Sequence, residues 1–415
     1  MTTVDFRTRF QNDEIALDVD MFVDQQLPEL LDAHADSAGR ALKRAELPPL
    51  TFIVDDAPLR FALDGERLAV TRDASDELVV MLDALTFSDL TQDVVSTFGI
   101  QMAGRAQITG SADRFLEWEP VLRTLLDGRP PYESGTIAFH DRNGRPLDLH
   151  QSFTLDDDPA EIGHFLAEAG YLHIKGVFTE EEMASVSAEL DVAVAEAQPD
   201  DGASWWARTA AGESYPSRIL GFNQKSPTLR ELLLRERFAT IGTFTADQFV
   251  LRNPERGDSA EGLLKKPGVV AGISDSSWHK DCSLGGHTRR CCGLTTGISV
   301  TGARKENGEL GVVAGSHRAN VPVLGNDLDL PAVPLPTQTG DVTVHCSCTL
   351  HMSRPPVSAE RRVVYTDFDL APRRGDRVVE LSEEEIRASR SALSSQVDDN
   401  QANQTFGARA GNYDL

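Results

Sequence analysis

His279-Lys280-Asp281 sets two metal-binding side chains two residues apart. On an extended strand such residues share a face. His279 and Asp281 are therefore expected to project together, with Lys280 pointing away. A third ligand must arrive from another part of the chain. The stretch from Gly340 to His351 is rich in β-branched residues and offers two histidines of equal parity, His345 and His351. Two imidazoles and one carboxylate are the donor set of non-haem Fe(II) oxygenases, which keep three metal positions open for co-substrate and O₂. The five cysteines, Cys282, Cys291, Cys292, Cys346 and Cys348, offer a thiolate site for zinc instead. Their Cys-Cys and Cys-x-Cys spacings are not those of zinc ribbons, and buried free cysteine is common.

These groups need rigid elements beneath them, and the pattern of the chain supplies candidates. Residues 18–130 open helical around Leu27, Leu30, Leu31, Leu42 and Leu47, with Pro28 tolerable in a first turn. Pro58 to Leu63 alternates with period two, Asp64-Gly65 is a turn, and Leu68 to Val70 resumes the extended pattern, which predicts a hairpin. Leu78 to Val80 reads as a strand and Ser88 to Phe98 as a helix. Ala106 to Gly110 leads into a further helix with Phe115, Trp118, Leu122 and Leu125 on one face. Residues 131–158 form a join, with a turn at Asn143-Gly144 and a close at Asp156-Asp157-Asp158-Pro159.

Residues 159–375 begin with a helix over Pro159 to Ala169. A second helix is opened by the capping box Thr179-Glu180-Glu181-Glu182 and buries Met183, Val186, Leu190 and Val194. From about residue 240, short strands and Gly-rich turns predict an all-β barrel or double-sheet jelly roll. Residues 376–415 are polar, and Ser382-Glu383-Glu384-Glu385 is placed to cap a last short helix. The expected fold class is α+β overall: a double-stranded β-helix (a cupin-like jelly roll) with flanking helices, preceded by a small α+β domain.

Trp278-His279-Lys280-Asp281, Glu306-Asn307-Gly308-Glu309-Leu310, Ala314-Gly315-Ser316-His317-Arg318 and Gly340-Asp341 follow one another in the chain. In that order they resemble the phytanoyl-CoA dioxygenase family of Fe(II)/2-oxoglutarate oxygenases, over roughly residues 160 to 370. In the family the distal histidine stands eleven residues past the glycine, which selects His351 over His345. The resemblance implies His279, Asp281 and His351 as iron ligands. It implies Ser353 and Arg362, with Arg361 in reserve, as the holders of the far carboxylate of 2-oxoglutarate. A permanently charged, two-pronged donor suits that carboxylate better than lysine. The implied reaction turns 2-oxoglutarate and O₂ into succinate and CO₂ while an unactivated C–H bond is hydroxylated. Halogenating relatives lack the carboxylate that Asp281 supplies, so hydroxylation or desaturation is implied over halogenation. Some relatives carry a bulky aromatic near Gly297, so a roomier pocket or an altered co-substrate wall is expected here. Ala106 to Asp113, with the strand order before it, resembles a sterol-carrier-type lipid-binding domain, which implies an apolar tunnel.

Substrate contacts are expected from Trp205 and Trp206, which with Tyr215 read as a loop over the active-site mouth and suit an apolar or lipid-derived small molecule. Lys265-Lys266 reads as a solvated basic pair, His345 as an interior histidine, and His287 and Arg354 as loop residues. The chain of 415 residues carries 40 basic and 65 acidic side chains, a net charge of −25 that repels nucleic acid and anionic membrane surfaces. No stretch approaches the roughly 20 apolar residues of a membrane span. The amino terminus lacks the pattern of a signal peptide, and the odd cysteine count suits a reducing cytoplasm. Two functions of different class stand open: the iron oxygenase, and a hydrophobic-ligand carrier whose barrel is catalytically silent.

Overall fold

Leu50–Val54 forms β1, Ala57–Asp64 β2, Arg67–Thr71 β3, Val79–Leu82 β4 and Gln107–Thr109 β5, a sheet ordered β3-β2-β1-β4-β5. The computed structural model describes residues 16–74, 77–199, 201–245, 249–272, 276–284, 293–322, 328–372, 374 and 382–388. The chain makes two units, one gathering residues up to Ile137 with the segments Lys280–Cys292 and Arg318–Asp329, the other Ala138–His279, Gly293–His317 and the chain from Leu330 onward.

In the first unit the helix Leu27–Arg44 carries Pro28 in its first turn and β2–β3 is the expected hairpin. The helix expected over Ser88 to Phe98 is instead two, Ala84–Thr91 and Thr97–Met102. Between them Asp93 takes a left-handed conformation, φ 61°, and its buried carboxylate pairs with Arg123 and Arg129. That ion-pair network comes from tertiary contacts and overrides helix propensity. Phe115, Trp118, Leu122 and Leu125 are all buried as their spacing predicts. Phe52 meets Phe61, Phe87 and Phe115 edge-on, with ring centroids 5.6, 5.7 and 6.2 Å apart. The buried core thus carries the unit's own aromatic rings, packed edge to face.

Among the described residues the second unit has two sheets. The larger consists of β6 (Tyr171–Ile174), β7 (Ser204–Thr209), β8 (Ser214–Ile219), β9 (Phe249–Leu251), β10 (Ala260–Lys265), β11 (Val269–Gly272), β13 (Gly293–Ser299), β16 (Val342–Cys346) and β18 (Arg361–Leu370). Its order is β11-β7-β8-β10-β18-β13-β16-β6, with β9 beside β18. The smaller holds β12 (Ser276–His279), β14 (Leu310–Val313), β15 (Ala332–Leu335) and β17 (His351–Ser353), ordered β12-β17-β14-β15. All pairings in both are antiparallel, which is the jelly-roll arrangement expected from the short strands. Strands begin earlier than expected, at residue 171 rather than about 240. Trp205 and Trp206 lie on β7 rather than in a loop. A bulge between them breaks the period-two alternation that would have marked the strand.

Helices cover one face of the larger sheet. The helix Glu180–Glu196 has the complete capping box, Thr179 Oγ1 accepting from the Glu182 amide and Glu182 from the Thr179 amide. Its buried face is Met183, Val186, Leu190 and Ala193, the last in place of the expected Val194. Phe368 of β18 packs on Phe238 of the helical layer, centroids 5.6 Å apart. The Ser382 hydroxyl and the Glu385 carboxylate exchange capping bonds with each other's amides at the start of a helical turn over 383–388.

Asp341 anchors the start of β16. Its carboxylate accepts from His173 Nε2 at 2.9 Å, the Gln338 amide at 2.8 Å and the Gly176 amide at 2.9 Å. Burial pushes this carboxyl up, but those bonds outweigh it and hold it below the ordinary value of 3.8. A lowered acid contributes stability that is present above its unfolded pKa and is lost as pH falls through the folded one. Asp341→Asn is therefore expected to cost about 1.5–3 kcal/mol at neutral pH. Denaturant melts at pH 7 and pH 3 check this: the gap between wild type and variant should shrink in acid, and a constant gap would rule out the charge as its cause.

Candidate metal centre

β12 and β17 run antiparallel with His279 directly opposite His351. Direct cross-strand neighbours have Cβ atoms about 4.5–5.5 Å apart, and the two imidazoles meet with centroids 4.2 Å apart. The strand ends at His279, and Asp281 opens a 3-10 turn over Asp281–Leu284. Asp281 thus reaches its neighbour by a turn rather than by the strand alternation expected. One ligand atom from each of His279, Asp281 and His351 lies within 4.8 Å of the others. Among the described residues these three form the cluster able to hold a metal ion.

The local chain explains why His351 is held. Ser316 Oγ accepts from the Leu350 amide at 2.8 Å, and Thr349 Oγ1 donates to the Gly170 carbonyl at 2.7 Å. His351 Nδ1 lies 2.9 Å from the Thr349 carbonyl. A carbonyl only accepts, so the proton sits on Nδ1 and the Nε2 lone pair is left for a metal. His345 is buried outside the triad, its ring 4.0 Å from that of His351. Cys282, Cys346 and Cys348 are buried thiols outside the cluster, whereas Cys291, Cys292 and His287 lie outside the described residues.

Cross-strand partners share a face of a sheet. In the larger sheet Thr343, Gly297, Tyr365 and Glu261 form one such row, and Val363, Leu263, Arg218 and Trp205 the next. Arg361 and Lys265 form a third row on the same face, which is also that of His345 and so looks onto the triad. The glycine at 297 has a direct reason: a Cβ there would lie 3.1 Å from the Tyr365 ring and 2.8 Å from Thr343 Oγ1. The wall is altered rather than emptied, because Tyr365 occupies the space. Gly308, at φ 84°, lets the chain pass the Arg354 carbonyl, which would stand 2.3 Å from any Cβ.

The arginine pair divides between the faces. Arg362 points to the helical layer, donating to Ser187 Oγ at 2.8 Å and pairing with Asp191 at 2.8 Å. Arg361 is 2% exposed on the inner face and donates to the Gly308 carbonyl at 2.5 Å. Its Nε is buried with no hydrogen-bond partner among the described residues. Arg362, which the spacing favours, thus faces the helical layer, and Arg361, the reserve, faces inward. Ser353 is on β17, two residues past His351, and accepts from the Lys265 ammonium at 2.5 Å. Of the expected substrate residues, Trp205 is on the inner face with Arg218 stacked 4.8 Å from its ring, and Trp206 donates to Ser204 Oγ. Arg218 and Glu261, an ion pair at 2.7 Å, were not anticipated, and neither was Lys265.

Residues 166–364 match the profile of the phytanoyl-CoA dioxygenase family (PhyH). That segment belongs to this family. With the family come its cofactors, Fe(II) and 2-oxoglutarate, and the His279–Asp281–His351 donor set fits the metal. Among solved structures, AviO1 from Streptomyces viridochromogenes Tue57 is 22% identical with a TM-score of 0.40, over 52% of this chain and 97% of its own. The non-heme alpha ketoglutarate dependent epimerase SnoN from nogalamycin biosynthesis is 21% identical, TM-score 0.40, over 52% and 85%. EctD from S. alaskensis, solved with 2-oxoglutarate and 5-hydroxyectoine, is 19% identical, TM-score 0.40, over 58% and 86%. None of the curated proteins compared matches this chain. No helix among the described residues is long and apolar enough to cross a membrane.

His351→Ala is expected to weaken Co(II) or Fe(II) binding by about 100-fold or more, whereas His345→Ala, outside the ligand set, should change it by about tenfold at most. Metal titration of the two variants under argon checks this, and equal losses would make His345 a ligand.

Proposed function

We propose that the chain is an Fe(II)/2-oxoglutarate-dependent hydroxylase of a small molecule, with the far carboxylate of 2-oxoglutarate held by Arg361 and Ser353. The observation that carries the reading is the convergence of His279, Asp281 and His351, with a buried guanidinium on the inner face of the larger sheet. Bound beside 2-oxoglutarate, the iron supplies O₂ activation coupled to loss of CO₂ from the co-substrate, which leaves succinate. The protein's part is to orient and to exclude water. His351 is kept in the tautomer that presents Nε2, and Val312, opposite it on β14, is fully buried and dries the site. Tyr365 against Gly297 walls the co-substrate space.

The inner face bearing Trp205 favours a substrate with an apolar or ring-bearing body. The Arg218–Glu261 pair in the same region favours a polar handle on it. The carrier alternative is the weaker reading, since the first unit packs its own aromatic rings and a silent barrel has no need of a converged triad. The test is anaerobic addition of Fe(II) and 2-oxoglutarate to metal-free protein, read by the visible charge-transfer band. A band in wild type that is absent from His279→Ala supports the reading, and no band from folded wild type removes it. Arg361→Ala should raise the 2-oxoglutarate requirement about 10- to 100-fold, the effect of a lost charge-assisted bond of about 1.5–3 kcal/mol. Arg362→Ala should leave it within about twofold, and the reverse order would return the role to Arg362.

A further inference from the structure

Trp205 and Trp206 are neighbours in the chain, but their indoles differ. Trp206 Nε1 donates to Ser204 Oγ at 3.0 Å. Trp205 Nε1 is buried and has no acceptor among the described residues. Directly opposite Trp205, on β8, stands Arg218, whose guanidinium carbon lies 4.8 Å from the Trp205 ring centroid. Arg218 Nη1 donates to Glu261 Oε2 at 2.7 Å. Its Nε is buried and, like the indole nitrogen, has no acceptor among the described residues. In a guanidinium, Nε and Nη2 form the side-on fork that grips a carboxylate, and a partner held at Nη1 leaves that fork open. Two N–H donors on facing residues of the inner face therefore wait for an acceptor. A buried donor without a partner is costly and rare in a folded protein.

The chemistry of the missing partner follows from the donors. Indole and guanidinium N–H groups only donate, so the partner must bring oxygen acceptors and cannot be a cation. A neutral carbonyl brings one oxygen, too few for the fork and the indole together. A phosphate monoester brings two charges, and Glu261 already neutralises Arg218, so it would meet net repulsion. A carboxylate brings one charge and two coplanar oxygens, which match the fork. The side chains of Arg218 and Glu261 are 22% and 27% exposed, so the outer end of the pair is open to an entering molecule. Leu263 and Val363 continue the row beyond Arg218 and offer an apolar floor for its body.

We infer that the open fork of Arg218, with the Trp205 indole N–H beside it, binds a carboxylate carried by the substrate. The molecule acted on is then a monocarboxylic acid with an apolar or ring-bearing body. This rests on the iron/2-oxoglutarate reading above, and it assigns Arg218 to the substrate, not to the co-substrate. Glu261 is a positioning residue that holds the guanidinium by Nη1 and keeps the fork turned outward from the pair.

The test uses the full chain as its anaerobic complex with Fe(II) and 2-oxoglutarate. The probes are 3-phenylpropanoate and indole-3-acetate, each beside its primary amide. Probe binding is read by calorimetry, and 2-oxoglutarate affinity by the charge-transfer band. The wild type is expected to bind each acid at least about tenfold more tightly than its amide. Arg218→Gln should abolish that preference by weakening the acids, and Arg218→Lys, which keeps the charge without the fork, should recover only part of it. Trp205→Phe, which keeps a ring and removes the N–H, should weaken the acids about tenfold and leave the amides within about twofold; it carries the test if Arg218→Gln does not fold. All three variants should keep 2-oxoglutarate affinity within about twofold. A wild type that binds no probe or shows no preference for the acids overturns the proposal, as does a preference that survives Arg218→Gln. A parallel loss of 2-oxoglutarate affinity also overturns it, by making Arg218 part of the co-substrate site. A wild type that gives no band fails the underlying iron reading instead, so the two failures are told apart.

Discussion

The antiparallel register of β12 on β17 is the constraint on which the rest of the site depends, because it places His279 opposite His351. A slip by one residue would turn one histidine to the other face of the sheet and dissolve the triad. The pairing spans few residues, so its own hydrogen bonds are a weak lock. The register is fixed from outside the strand pair by the Ser316 bond to the Leu350 amide and the Thr349 bond to Gly170. Gly308 adds to this by allowing the turn before β14 to lie against the Arg354 backbone. The Asn-Gly and Gly-Ser-His stretches are therefore parts of the metal site, although none of their side chains belongs to the triad.

The larger sheet separates two kinds of polar residue. On its helical side, charged groups such as Arg362 are neutralised locally, here by Asp191, and serve to dock the helix Glu180–Glu196. On its inner side, Arg361 and Lys265 are buried beside each other. One residue of chain separates Arg361 from Arg362, and the pleat of β18 gives them opposite environments. Glu309 lies in the same region: burial pushes its carboxyl up, while Arg354 and Arg361 partly pull it back.

The first unit contrasts with this. Its core is rich in aromatic rings, and its polar investment is the buried Arg123 cluster with Asp93, Glu119 and Asp127. Such buried networks fix one packing of the elements that carry them. They do not by themselves make a binding site.

The sequence by itself singled out the three residues that the fold brings together, and much of the scaffold. The His-x-Asp spacing, the glycine-to-histidine distance, the Thr179 capping box and the period-two hairpin are short-range signals, because each depends on residues close in the chain. What it left open was decided by burial on both faces. β18 reads Arg-Arg-Val-Val-Tyr-Thr-Asp-Phe-Asp-Leu, and with helices on one side and the barrel interior on the other there is no alternation to say which arginine faces in. Lys265 looked like surface for the same reason: a lysine's charge signals solvent until a neighbouring strand and a serine from another sheet enclose it. The broken helix at Asp93, the bulge at Trp205-Trp206 and the turn carrying Asp281 were left open as well. Each is a local departure from regular structure that the folded chain accommodates and that no periodicity marks.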